Sequence, residues 1–91
     1  MDKPTITIID KGKEPTLKEM QDIVGGSIEI AYDDGKTQII CHEEGKILGL
    51  PNNTEATKIW WDILRENSFY EHHNDVLVGD VLILKGKARM Q

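Results

Sequence analysis

The stretch from Ser27 to His42, SIEIAYDDGKTQIICH, decides the fold class. Ile28 and Ile30 alternate with Ser27, Glu29 and Ala31, the period of two that a strand imposes by pointing successive side chains to opposite faces. Asp34-Gly35 then supplies a tight turn, because a two-residue hairpin loop needs positive φ at its centre. The return strand runs from Lys36 to His42. Such a hairpin anchors an antiparallel sheet.

Working outward toward the N-terminus, TITII (5–9) is β-branched throughout and reads as a first strand. After the polar break DKGKEP, Thr16 precedes Glu19 by the spacing of a capping box, in which hydroxyl and carboxylate each satisfy an exposed backbone N–H. Leu17, Met20, Ile23 and Val24 recur at helical spacing, and Gly25-Gly26 offers the left-handed residue that ends a helix. The spacing predicts a helix over 16–24.

On the other side, EEG (43–45) makes a second turn, and KILGL (46–50) gives a short third strand or an extended segment up to Pro51. Asn52, Asn53 and Thr54 can each cap a second helix over 54–65. There Ala56, Ile59, Trp60, Ile63 and Leu64 form a core-facing stripe. ENSFYEHHND (66–75) is a polar, irregular connection. VLVGDVLILKG (76–86) closes the chain as one strand broken at Gly79-Asp80, or as two strands around a tight bend. The sum is a single domain over 1–91 of α+β class. It has a mostly antiparallel sheet of about four to five strands, with two helices packed on one face.

Bulk composition narrows the function classes. Ninety-one residues support one modest core, and 38% hydrophobic with 30% charged residues suits a soluble chain. No segment is apolar and long enough to span a bilayer, and MDKPTITIID lacks the pattern of a secretory signal, so the expected location is cytoplasmic, without a membrane partner. One cysteine excludes an intramolecular disulfide and a four-cysteine zinc site. The net charge of −5 is spread along the chain. Lys and Arg form no run apart from KGKAR (85–89), so the basic patch of a nucleic-acid binder is missing.

CHEEGK (41–46) is the most chemical stretch. On a strand, Cys41 and His42 point to opposite faces and cannot share one ion. Cys41 falls in phase with Ile39 and reads as a small buried hydrophobe with a raised pKa and little reactivity. Gly45-Lys46 is followed by Ile47, not by the Ser or Thr of a phosphate-binding P-loop. Anion binding by Lys46 with the turn amides stays open. His72-His73 reads as a solvated loop or as part of a metal or pH-sensing group without a third ligand at recognisable spacing. The acid pairs Asp33-Asp34 and Glu43-Glu44 both sit in turns, and no nucleophile has a base at a familiar spacing. The expectation is a protein without catalytic residues, cofactor or metal.

Trp60 and Trp61 lie about 100° apart on a helix. Trp60 joins the core stripe; Trp61 falls at its edge, with Phe69 and Tyr70 in the connection that follows. Either the following loop folds over Trp61, or the ring belongs to an interface, where large aromatics are enriched.

Three segments together, VGGSIEIA (24–31), EEGKILGLPNNTEAT (43–57) and DVLVGDVLIL (75–84), resemble a family of small domains of unknown function found largely in bacteriophages, other mobile elements and their bacterial hosts. Its members carry a Gly-Gly-X-Ile-Glu-Val start, a central Asn-Glu-Glu-Gly-Lys with Gly-Leu-Pro-X-Asn and a helix, and a closing Asp-Val-Ile-Val-Gly. His42 stands where the pattern has Asn. The resemblance implies a phage or mobile-element setting and supplies no activity to carry over.

The reading that follows is a non-enzymatic binding protein that occupies a host protein through an acidic and aromatic surface, with a possible anti-defence or host-modulating role. Its candidate binding residues are Lys46, Asn52, Asn53, Trp61, Phe69 and Tyr70. One asparagine caps the second helix, which leaves the other amide and Lys46 free beside the positive end of the helix dipole. Two alternatives stand beside it. One is a homo-oligomer that binds a small anionic or nucleotide ligand at Lys46, Asn52 and Asn53; the other is a structural or accessory subunit.

Overall fold

Four consecutive apolar residues, Val81 to Leu84, begin the last strand, and all four are buried. A strand that is apolar at every position must be covered on both faces. The computed structural model describes residues 3–66 and 75–90, so Phe69, Tyr70, His72 and His73 lie outside the described residues. The elements are β1 (Ile6–Ile9), α1 (Leu17–Val24), β2 (Ile28–Asp33), β3 (Thr37–His42), α2 (Thr54–Glu66) and β4 (Val81–Lys85). They form one four-stranded sheet in the order β1-β4-β3-β2. β1 runs parallel to β4, and the other two pairings are antiparallel. The fold is α+β with a mostly antiparallel sheet.

The two helices cover opposite faces of that sheet, which corrects the expectation that they share one. Met20 and Val24 of α1 pack with Ile40, Leu82 and Leu84. Ala56 of α2, with half-buried Ile59, Trp60 and Ile63, packs with Ile39, Cys41, Val81 and Ile83. Alternate residues of the two central strands thus face different helices, so both faces are apolar. That double covering is what the unbroken runs IIC and VLIL demand.

Helix α1 has the expected ends. Thr16 Oγ1 accepts from Glu19 N at 3.1 Å, and Thr16 N donates to Glu19 Oε1 at 2.8 Å. The chain leaves through Gly25 at φ +86°, whose N–H donates to Gln21 O. The β2–β3 hairpin is as read, but its loop is shifted by one residue. Asp34 N donates to Thr37 O, so the loop centres on Gly35-Lys36 instead of Asp34-Gly35, and the return strand starts at Thr37. A bulge at Ala31 accompanies the shift: Ile30 pairs with Ile40, and Tyr32 pairs with Ile39. The extra residue turns Tyr32 toward α2.

KILGL forms neither a strand nor an extended segment. Residues 43–49 are turn, closed by Leu48 N to Glu44 O at 2.9 Å, Gly49 N to Lys46 O at 3.2 Å and Leu50 N to Gly45 O at 3.0 Å. Local amide bonds satisfy the backbone there, so no neighbouring strand is needed. At the far end, Gly79-Asp80 does interrupt the last segment. Val78 makes an isolated bridge with Asn52, and β4 proper begins at Val81.

Candidate functional site

The start of α2 is fastened by Asn53. Its Oδ1 accepts from Ala56 N at 3.1 Å, which caps the helix, and its Nδ2 donates to Thr5 O at 3.0 Å and Gly79 O at 2.9 Å. The side chain is buried and joins the entry to β1, the bend before β4 and the helix. Its amide hydrogens are both committed, so Asn53 offers a ligand none. Asn52 is the exposed neighbour, held by its backbone bridge to Val78.

Lys46 is not free, contrary to the reading from sequence. Its Nζ pairs with Asp75 Oδ1, and both side chains are exposed. The hydrogen bond from Lys46 is the main cause that holds the Asp75 carboxyl below the usual range; burial opposes it, and the Val76 N–H and the lysine charge add to the lowering. The Asp75 carbonyl in turn accepts from Trp61 Nε1 at 3.0 Å. Trp61, half-buried at the edge of α2, is thereby linked through Asp75 to the 43–49 turn.

Lys46 and the asparagines line different hollows. A groove of about 350 Å³ is bounded by Glu29, Ala31, Cys41, Glu43, Lys46 and Ile47. A second, of about 330 Å³, lies along Asn52, Thr54, Thr57, Lys58, Trp61 and Val76. The anion site imagined from Lys46, Asn52 and Asn53 is therefore not assembled as one pocket. Trp61 and Asn52 do come together.

Cys41 is 8% exposed and lies on the α2 side with Ile39. Burial, with the Glu29 carboxylate 3.9 Å from Sγ, pushes its thiol up to about 11. His42 pairs with Ile28 on the other side of the strand, and its Nδ1 accepts from Glu44 N at 3.0 Å. Among the described residues no group of three His, Cys, Asp or Glu side chains is placed to hold a metal.

Sequence reasoning missed Ile47 and Leu48, which are 84% and 59% exposed. The sequence reading puts them in a short strand or an extended segment, not in a turn. A signal was present: two aliphatic residues between Gly45 and Gly49 have turn-formers on both sides.

Fold and surface together define a small helix–sheet–helix domain with shallow grooves and an exposed aliphatic turn. The chain belongs to the family described as a domain of unknown function, DUF3846, whose model matches residues 2–90. That agrees, at the level of an unknown-function family, with the resemblance carried by the three motif segments. No curated protein and no solved structure matches the chain.

Proposed function

We propose that the protein is a non-enzymatic binding module of phage or mobile-element origin that acts by occupying a host protein, in an anti-defence or host-modulating role. The observation that supports it is the exposed pair Ile47-Leu48 on a well-fastened turn. Fully burying an aliphatic side chain of this size is worth about 1.5–3 kcal/mol, which is forgone while the pair stays in water. Four backbone hydrogen bonds and the Lys46–Asp75 pair hold the turn, so docking orders little of it. Glu43 and Glu44 on the same turn favour a partner with basic groups around an apolar centre. Trp61 is the aromatic extension of this surface, reached through Asp75. The phage or mobile-element setting rests on the three-motif resemblance. The small-anion reading is weaker, because Lys46 is paired and the Asn53 amide is committed.

A photo-crosslinking residue at Leu48 tests the reading in host extract. The expected result is one saturable protein adduct, lost in Ile47→Asp and kept in Leu17→Asp, which changes an exposed residue on α1. No adduct, or one indifferent to Ile47→Asp, overturns it.

A further inference from the structure

The two edges of the sheet are built differently. β2 at one edge carries Glu29 and Asp33 and is kinked by the bulge at Ala31. Charge and a bulge are among the devices that keep an edge from pairing with another chain. β1 at the other edge has neither. From Pro4 to Ile9 it is uncharged, and its four-residue strand, ITII, pairs with β4 in unbroken register. Ile8 on this strand is 52% exposed.

The backbone shows which groups are unused. Thr5 O accepts from Val81 N at 2.9 Å, and Ile6 to Ile9 stand opposite Val81 to Leu84. Amides alternate in direction along a parallel strand, so Thr5, Thr7 and Ile9 serve β4 while the N–H and C=O of Ile6 and Ile8 point away from the sheet.

We infer that this edge binds the same edge of a second copy of the chain, antiparallel and about a two-fold axis at Thr7. Each Ile6 then exchanges both amide hydrogen bonds with the partner's Ile8. Thr7 stands against the partner's Thr7 as the close, non-hydrogen-bonded pair. Ile6 packs on the α2 side of the sheet, and Ile8 shares its face by alternation, so each exposed Ile8 gains an isoleucine beside it. In this register Asp10 stands opposite the partner's Pro4, and Lys3 stands opposite the partner's Lys11 with Asp10 one position away.

A second copy is the occupant that suits this edge. In a chain of net charge −5 it is an uncharged strip along which two copies can approach without opposed carboxylates. The contact is isologous and closes at two, since among the described residues each copy has one sheet edge without a charge or a bulge. A ladder this short buries less than the ~1,200 Å² of a standard interface, so the dimer is weak and reversible.

Cysteine crosslinking reads the register directly. Across the two-fold axis the Thr7 Cα atoms come to about 4.5 Å, within disulfide range. Thr7→Cys should oxidise to a covalent dimer much faster than Thr5→Cys, whose counterpart is the partner's Ile9. The native Cys41 is buried and stays silent. Sedimentation should show a concentration-dependent dimer that strengthens with salt, weakens about tenfold or more in Ile8→Lys and is unchanged in Ile30→Lys. Equal crosslinking of the two cysteine variants, a monomer into the millimolar range, or growth beyond a dimer would each overturn the inference. The Ile47-Leu48 turn takes no part, so Ile47→Asp should leave the dimer intact.

Discussion

The strand β3 is flanked by two turns of nearly the same sequence, DDGK (33–36) before it and EEGK (43–46) after it. Each has two acids, a glycine and a lysine, yet they are held in different ways. In the first, the side chains close the turn. Asp33 Oδ1 accepts from Gly35 N at 2.9 Å, and Asp34 Oδ1 accepts from Lys36 N and Thr37 N, both at 2.8 Å. Aspartate is short enough to bond its own backbone two residues on. In the second, backbone bonds close the turn together with the His42 ring, which accepts from Glu44 N, and Glu43 and Glu44 stay exposed. The aspartates cap their own hairpin, while the glutamates leave their carboxylates and the aliphatic pair that follows exposed.

The glycines sharpen the contrast, and their replacement carries the largest expected effect. Gly35 is needed for its φ of +84°, with nothing within 4 Å of an added Cβ. Gly45 is needed for space: a Cβ there would meet Val78 Cγ2 at 2.8 Å, with the His42 carbonyl and Leu50 at 3.4 Å. Gly45→Val should therefore cost about 3 kcal/mol by overpacking a buried contact. Gly35→Ala should cost about 1–2 kcal/mol from left-handed backbone strain. Urea unfolding of both variants checks the order. A larger loss at Gly35 would mean that the close contact of Gly45 with Val78 is not what the second turn depends on.

Acid sensitivity should fall on the first turn. The N–H of Gly35 and then the Gln38 amide are the main causes that hold the Asp33 carboxyl below its usual range. For Asp34, burial alone would raise the carboxyl, and hydrogen bonds from Thr37 N, Lys36 N and the Tyr32 hydroxyl together outweigh it, leaving it lowered. A carboxyl lowered by folding contributes stability that is present above the unfolded value of about 4 and is lost as pH falls through the folded value. Asp34→Ala should cost about 1–2 kcal/mol near neutral pH by removing the acceptor of two backbone amides. It should also flatten the loss of stability below pH 4. The Glu43→Gln/Glu44→Gln pair should leave stability near neutral pH unchanged. An unchanged acid limb in Asp34→Ala would place the acid-sensitive groups outside this turn.

Much of this architecture was legible because local rules settle it. The capping box at Thr16 and Glu19, the glycine end of α1 and the alternation in β2 each depend on residues a few positions apart. The facing of the two helices depends on what covers β3 and β4. The runs IIC and VLIL did state that both faces are apolar, but period-two reasoning assigns one buried face by default. The candidate site was less legible for the same reason. That Lys46 reaches Asp75, and that Asn53 spends its amide on Thr5 and Gly79, are contacts between residues remote in sequence. Lysine beside a helix start looks free until the chain that passes it is placed.

The smallest effect belongs to that ion pair. Lys46 and Asp75 are exposed, and exposed pairs stabilise by about 0–1 kcal/mol because solvent screens them and long side chains lose freedom. Lys46→Gln should therefore change stability by no more than about 0.5 kcal/mol. The Asp75 carboxyl should rise toward its ordinary range, a change that an NMR pH titration follows directly, since the bond from Lys46 is its chief depressant. Trp61 reports on the same junction, because its indole N–H is held by the Asp75 carbonyl. If the pair merely decorates the surface, partner binding at Ile47-Leu48 should survive Lys46→Gln. If it fixes the angle of the EEGK turn, the crosslink from Leu48 should weaken while the melting temperature holds. A loss of stability well above 1 kcal/mol would contradict both outcomes, and would make the second turn as dependent on its side chains as the first.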